Sequence, residues 1–331
     1  MKTVSENAKK RPSILKLLLS KKESGAVIPL VILMVAVAFV NQNFFGINNL
    51  MDVLRTASFW IIIGVAVTFL MSSGGFDLSI GAATSMGGVV CGQILKSGLP
   101  PVPALLVGIV AALAVGMLIG TINGICVVRF KLPGFIFTLG MQYCLNGLIN
   151  VWTKGLSITN FDKSYTQIGQ FRLFKTVPLP IIYAVVIAII GHILLTKTKF
   201  GRKVLAVGGN AETARLAGIN VNKTRILTYV AVSTMAALVG VIYGARFATV
   251  QPAIGTGSEM NIIAAVIVGG TSMMGGVATI IGTCIGCVLL AMITNVLIML
   301  GVSAYWQAFV FGLILIVSLF IDRYRQQALN G

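Results

Sequence analysis

Charge is scarce in this sequence. Asp, Glu, Lys and Arg make up 10% of its 331 residues, where a soluble domain carries about 25%. Acids are the rarest: 8 Asp and Glu stand against 25 Lys and Arg, and there is one histidine, His192. No Ser/His/Asp or metal-ligating constellation is available, so the sequence argues against an enzyme, with no catalytic residue and no metal site. A lone His within an apolar segment that holds no acid reads as structural rather than as a proton relay. The phosphate loop G-x-x-x-x-G-K-[ST] is missing too, so the chain does not bind ATP by that route. Gly255-Thr256-Gly257 lacks the third glycine of a dinucleotide fingerprint and follows no strand. The 5 cysteines all fall in apolar runs, and their odd count argues against a disulfide framework. Cys284 and Cys287 form a C-x-x-C without a His or a second pair, and read as small packing residues.

Apolar residues are plentiful. They form 57% of the chain, and the mean hydropathy is +0.96. The protein is therefore an integral membrane protein, with room for about ten spans of roughly 20 residues each. The apolar segments are Ala26–Val40, Leu54–Met71, Ile80–Leu95, Val102–Val128, Phe135–Trp152, Val177–Leu195, Ile226–Phe247, Met260–Ser272, Val277–Leu300 and Tyr305–Ile321. Residues 1–25 read as an uncleaved cytoplasmic arm, 26–322 as one transmembrane domain and 323–331 as a cytoplasmic tail. The net charge of +17 does not point to nucleic acid, because the cations lie in loops between apolar runs, with no basic stripe interleaved with aromatics. On one side fall Arg55, Lys96, Lys154, Lys163, Arg172, Lys175 and Arg246, and most of the 25 cations fall on the other. This asymmetry places both ends and the loop 197–225 in the cytoplasm. It makes 153–176 an external loop, with Asp162, Tyr165 and Gln167 expected to be exposed.

Two segments, Ile80–Leu95 and Met260–Ser272, are short and flanked by glycine pairs. They fit either tight helix packing or broken helices lining a pathway. Glycines four apart, as at Gly116, Gly120 and Gly124, let helix backbones approach closely. Asp52, Asp77 and Glu259 are the acids near the membrane. Asp77, in GGFDLSIG, and Glu259, in GSEMN with Ser258 as expected cap, either cap helices or shape a polar path. Their scarcity suggests that a carrier function would draw its energy from elsewhere. Within 197–225, Asn210 as N-cap, Glu212 in the first turn and Gly218 as stop predict one short helix, Ala211–Ala217. Such a helix is too short to persist alone. It docks on a soluble partner or lies on anionic lipid.

The motifs GGFDLSIGA (Gly74–Ala82), LPGFIFTLGM (Leu132–Met141), TKFGRKVLAVGGNAETARLAGI (Thr198–Ile219) and GSEMNIIAAVIVGGTSMMGG (Gly257–Gly276) closely resemble those of permease subunits of ribose-type ABC sugar importers. Glu212, Ala214 and Gly218 echo the E-A-A-x-x-x-G loop of bacterial import permeases, with Thr213 in place of the middle Ala. The resemblance implies an all-α, ten-helix permease of the vitamin B12-importer type in the bacterial cytoplasmic membrane. It also implies a second permease copy, an extracytoplasmic sugar-binding protein and a cytoplasmic ATPase. ATP and Mg would sit on that ATPase, with no cofactor on this chain. Its ATPase contact would be Asn210, Glu212, Ala214, Arg215 and Gly218. The expected substrate pathway is Phe76, Asp77, Phe135, Thr138, Gln142, Asn146 and Asn261. Gly134, Asn261 and Phe76 depart from the family's usual residues and leave the solute open. Nucleosides, branched-chain amino acids or another small polar solute are alternatives. So are an ATPase-independent secondary carrier or channel, and a receptor-like membrane protein without transport activity.

Overall fold

The computed structural model describes residues 42–303 and 305–314, with 30, 31, 33–35, 37, 316, 317 and 320 beyond them. The arm 1–25 and the tail 323–331 lie outside the described residues, as do parts of Ala26–Val40 and Tyr305–Ile321. In chain order the helices are α1 (Ile47–Ser72), α2 (Ile80–Leu95), α3 (Pro101–Gly124), α4 (Gly134–Thr153), α5 (Lys163–Gln170), α6 (Leu179–Lys197), α7 (Lys199–Gly209), α8 (Ala211–Leu216), α9 (Val221–Phe247), α10 (Ser258–Val268) and α11 (Ile280–Met299). A last apolar helix, α12, spans Tyr305–Ile314. A two-stranded antiparallel hairpin, β1 (Arg172–Leu173) with β2 (Val177–Pro178), is the one sheet among the described residues.

Among the described residues five helices are long and apolar enough to cross a membrane: α1, α3 with its extension to Arg129, α6, α9 and α11. Helices α2, α10 and α12 are apolar but shorter. α4 has 20 residues, but Thr138, Gln142, Asn146 and Asn150 dilute its apolar character.

The layering follows from what each helix buries. The apolar window of α1 is 78% buried and that of α6 is 22% buried, so α1 lies inside and α6 on the lipid-facing rim. α2 is buried on every side from Ile80 to Gly92. α3 and α6 present Leu106, Val110, Leu118, Val185, Ile189 and Ile193 outward, as expected where the surroundings are lipid. At the centre α9 packs on α1, α2, α3 and α5. Small residues make this possible. A Cβ placed on Gly116 would come within 2.7 Å of the Ser233 carbonyl oxygen, and one on Gly120 within 2.6 Å of that of Tyr229.

The external loop is more ordered than its polar composition predicts. Asp162 caps α5 by accepting from the Ser164 N–H, and this bond holds its carboxyl below the usual carboxylate range. Asp162 and Gln167 are exposed. Tyr165 is not, contrary to expectation: it is fully buried, and its hydroxyl donates to the Val241 carbonyl at 2.8 Å. The loop folds back on α9 because Gly169 and Gly244 leave room for the contact.

The central loop holds two helices rather than one. The sequence reading missed α7 because its cations mask an apolar stripe. Val204 and Val207 are buried, and Phe200 stacks on Phe69 at 5.9 Å. α8 ends one residue earlier than expected.

Filling the glycine contact tests this packing. Gly120→Leu should destabilise the purified protein by about 1–3 kcal/mol or more, read as a lowered unfolding midpoint, while Gly147→Leu, at a site open to its surroundings, should leave it near wild type.

Candidate functional site

The chain leaves α1 at Ser72 and does not become helical again until Ile80. Gly74, at φ +79°, permits the turn. Beyond exposed Gly74 the intervening stretch is buried or half-buried, so its polar groups need partners. The Tyr229 hydroxyl supplies two, donating to the Phe76 carbonyl at 3.1 Å and accepting from the Phe76 N–H at 3.3 Å. The Leu78 N–H donates to Thr138 Oγ1 at 3.0 Å, which donates to the Gly134 carbonyl at 2.7 Å. Arg225 Nε donates to the Ser73 carbonyl at 2.9 Å.

Asp77 is 2% exposed. Its Oδ1 accepts from both the backbone N–H and the hydroxyl of Ser79, each at 2.7 Å. Its Oδ2 accepts from Asn123 Nδ2 at 3.3 Å, and the same amide donates to Ser79 Oγ at 2.8 Å. Asp77 therefore closes the turn ahead of α2, whose N-cap is Ser79. The expected capping by Ser258 is replaced by another arrangement. Gly257, at φ +83°, is the N-cap of α10, and the Ser258 hydroxyl donates to the Gly255 carbonyl.

Glu259 lies in the first turn of α10 and is 6% exposed. Its Oε1 accepts from Gln142 Nε2 at 3.1 Å, while Oε2 has no hydrogen-bond partner among the described residues. Gly81 leaves the room that this carboxylate occupies between α2 and α10, and Gly255 lets its own backbone lie against Gly81.

The structure brings Phe76, Asp77, Phe135, Thr138 and Gln142 together. The Phe76 and Phe135 rings are 6.1 Å apart, tilted by 34°. Thr138 and Gln142 are one helical turn apart on α4, and half-buried Asn146 follows at the next turn. Asn261 is not part of this group. It lies two residues beyond Glu259, on the other flank of α10, in a cavity of about 690 Å³ with Trp60, Tyr243, Thr294, Gln307 and Phe311. The sequence reading missed Asn123 and Tyr229. Asn123 was visible as the one amide in an apolar helix of 24 residues. Nothing local marks Tyr229.

At the opposite side of the Ser73 loop stand α7 and α8. Asn210 Oδ1 accepts from the Thr213 N–H at 2.9 Å, and Glu212 pairs with Arg215 at 2.9 Å on the surface. Ala214 is buried against Val207 and Val221. Gly218, at φ +78°, ends the helix, and the Ile219 N–H returns to the Ala214 carbonyl at 3.0 Å. The Leu216 side chain is 82% exposed. Gly208 of α7 lies directly against the Ser72 carbonyl, which also accepts from the Gly276 N–H at 2.9 Å. The α7–α8 pair is thus in contact with the end of α1, just ahead of the Phe76 loop.

Removing the buried carboxylate should loosen this loop. Asp77→Ala leaves the Ser79 N–H without its acceptor and should cost about 1–3 kcal/mol. Asp77→Asn retains an acceptor and should cost less. Thermal unfolding of the purified variants orders the two.

A family model described as branched-chain amino acid transport system / permease component matches residues 49–319. The ribose import permease protein RbsC of Escherichia coli K12 is 36% identical over 307 residues, covering 92% of this chain and 94% of that one. RbsC of Bacillus subtilis 168 is 34% identical over 300 residues, 90% of this chain and 92% of its own. The autoinducer 2 import system permease protein LsrC of Escherichia coli O9:H4 is 31% identical over 309 residues, 93% of this chain and 89% of its own. No solved structure matches this chain.

Proposed function

The chain belongs to the branched-chain amino acid transport system / permease component family, and on that premise we propose that it is the membrane-spanning permease subunit of an ATP-driven importer for ribose or a similar monosaccharide. In this reading it is a multi-pass protein of the bacterial inner membrane with both termini cytoplasmic. The described spans belong to a ten-helix fold of the vitamin B12-importer type. The solute comes from the names of the relatives in Escherichia coli and Bacillus subtilis.

The observation that carries the transport role is the polar line Thr138, Gln142, Asn146 and Asn150 on α4. These residues are four apart and share one face. The helix exposes Ile136, Tyr143, Leu148 and Val151 and lies at the edge of the bundle. Thr138 is buried and Gln142 turns to Glu259, whereas Asn146 is half-buried and Asn150 exposed; amides facing hydrocarbon are costly, so the Asn146–Asn150 end of this edge lines water or a second copy of the chain. Two such edges facing each other form a pathway with amides, hydroxyls and the rings of Phe76 and Phe135. These groups hydrogen-bond a polyhydroxylated solute weakly enough to release it. Selection then rests with an extracytoplasmic binding protein.

The energy comes from a cytoplasmic ATPase carrying ATP and Mg. The exposed Leu216, flanked by the Glu212–Arg215 pair, gives that partner an apolar knob. Movement of α8 reaches the pathway through Gly208 against Ser72 and through Arg225 on Ser73. It rocks α6 and α9 as rigid bodies and opens the pathway alternately to each side.

The test is uptake of ribose in proteoliposomes containing this chain, a cognate ATPase and a binding protein. Leu216→Asp should lower ATP-dependent uptake by about tenfold or more without loss of folded protein, and Gln142→Leu should lower uptake while ATPase docking is retained. Full uptake without any ATPase would replace this reading with a secondary carrier.

A further inference from the structure

A cavity of about 690 Å³ lies between α1, α9, α10, α11 and α12, on the flank of α10 away from Gln142. Its volume suits a small organic ligand. It sits toward the end of the bundle far from α8: Tyr243 is near the close of α9, and Thr294 also lines a neighbouring recess with Arg55 and Arg246. Thr256 and Gly257, which line it ahead of α10, are exposed, so it opens at that end.

The lining holds rings and amides but no Asp, Glu, Lys, Arg or His. Trp60 meets Phe311 edge to face, with 6.4 Å between centroids. Tyr243 stacks on Phe59 at 4.1 Å, which fixes its ring. The polar atoms beside these rings are largely unspent. Among the described residues no hydrogen bond reaches the Asn261 amide, the Trp60 indole N–H or the Tyr243 hydroxyl. Gln307 Nε2 donates to the Val302 carbonyl at 3.2 Å, and Thr294 Oγ1 to the Leu290 carbonyl at 3.0 Å. Both side-chain oxygens remain free to accept.

Unpaired polar groups inside an apolar bundle are costly and call for a partner. That partner must be uncharged, because nothing in the lining offsets a charge. It must donate and accept at once, since the cavity offers acceptors and donors together. It must also carry an apolar face for the rings. A polyhydroxylated ring meets each condition: its hydroxyls donate and accept, and its C–H faces pack on aromatic rings. An organic anion fails the first condition and a lipid tail the second. We infer that this cavity is a saccharide-binding site within a single subunit, apart from the α4 edge, with Asn261 as its principal hydrogen-bonding residue and Trp60 as its platform. That the sugar is ribose rests on the proposed importer function; the cavity itself requires only a neutral sugar.

Saturation-transfer difference NMR on purified full-length protein in lipid nanodiscs, without ATPase or binding protein, tests this. Ribose, xylose and galactose are the probes, and ribose 5-phosphate is the charged control. At least one neutral sugar should give a saturable signal, and ribose 5-phosphate none. Asn261→Leu should weaken the apparent affinity by about tenfold or more, and Gln142→Leu, on the α4 edge, should leave it unchanged. If Asn261→Leu does not fold, Gln307→Leu takes its place. Absence of a saturable signal from every neutral sugar overturns the site, as does binding that Gln142→Leu abolishes and the Asn261 and Gln307 variants leave intact. ATP-dependent ribose uptake in proteoliposomes alongside either result leaves the importer reading standing. Binding of xylose or galactose alone, weakened by Asn261→Leu, upholds the site and displaces ribose as the solute.

Discussion

The structure depends on satisfying a stretch of non-helical backbone inside an apolar bundle. From Gly74 to Ser79 the chain is not helical, yet most of it lies among buried residues. Inside lipid or packed protein an unsatisfied N–H or C=O costs several kcal/mol. Its groups are met from several elements: the Gly74 and Gly75 N–H groups by carbonyls at the end of α1, others by Tyr229 and Arg225 of α9, by Thr138 of α4, and by Asp77, itself held by Asn123 of α3. The loop is therefore a joint that ties α3, α4 and α9 to the end of α1. Moving any one of these helices disturbs the partners of Phe76 and Asp77.

The second constraint is distance. Polar side chains on α3, α4 and α9 reach the loop only if the helices lie close, and the small residues of α2, α3 and α9 allow that. Gly87 and Gly240 stand where α2 and α9 touch backbone to backbone, and Gly81 and Gly255 do the same where α2 meets the approach to α10. The room beside Gly81 is what Glu259 occupies. Packing and polar pairing are thus one arrangement: close backbones bring the carboxylate to Gln142, and the amide keeps it paired.

The two ends of the bundle differ in chemistry. At one end cations are spread over exposed helices around an apolar knob, Leu216. At the other, where the sequence places few cations, Arg55 and Arg246 converge on one cavity with little acid to balance them. The first surface is broad and suits a rigid partner. The central packing of α9 connects the two, since its first turns carry Arg225 and its last carry Arg246.

Much of this was legible in the sequence. Apolar length alone determined that the chain is a membrane protein and delimited α2 from Ile80 to Leu95. Asn210 and Gly218 fixed the ends of α8, because capping is local chemistry. Other features were decided by tertiary contacts. Tyr165, read as exposed, is buried because its loop folds onto α9. α7 forms because Val204 and Val207 find α1 and its neighbours, which a basic stretch does not announce. Asn261 and Gln142, both amides near short segments, fall on opposite flanks of α10, and only helix rotation separates them. The sequence by itself determined which segments are apolar, the caps of α8 and which side is basic, since these follow from solvation and from bonds within a few residues. The tertiary structure decided which polar groups meet, because Asp77 with Asn123 and Arg55 with Arg246 are pairings across helices, set by close backbone packing and by the cost of leaving a buried polar group alone.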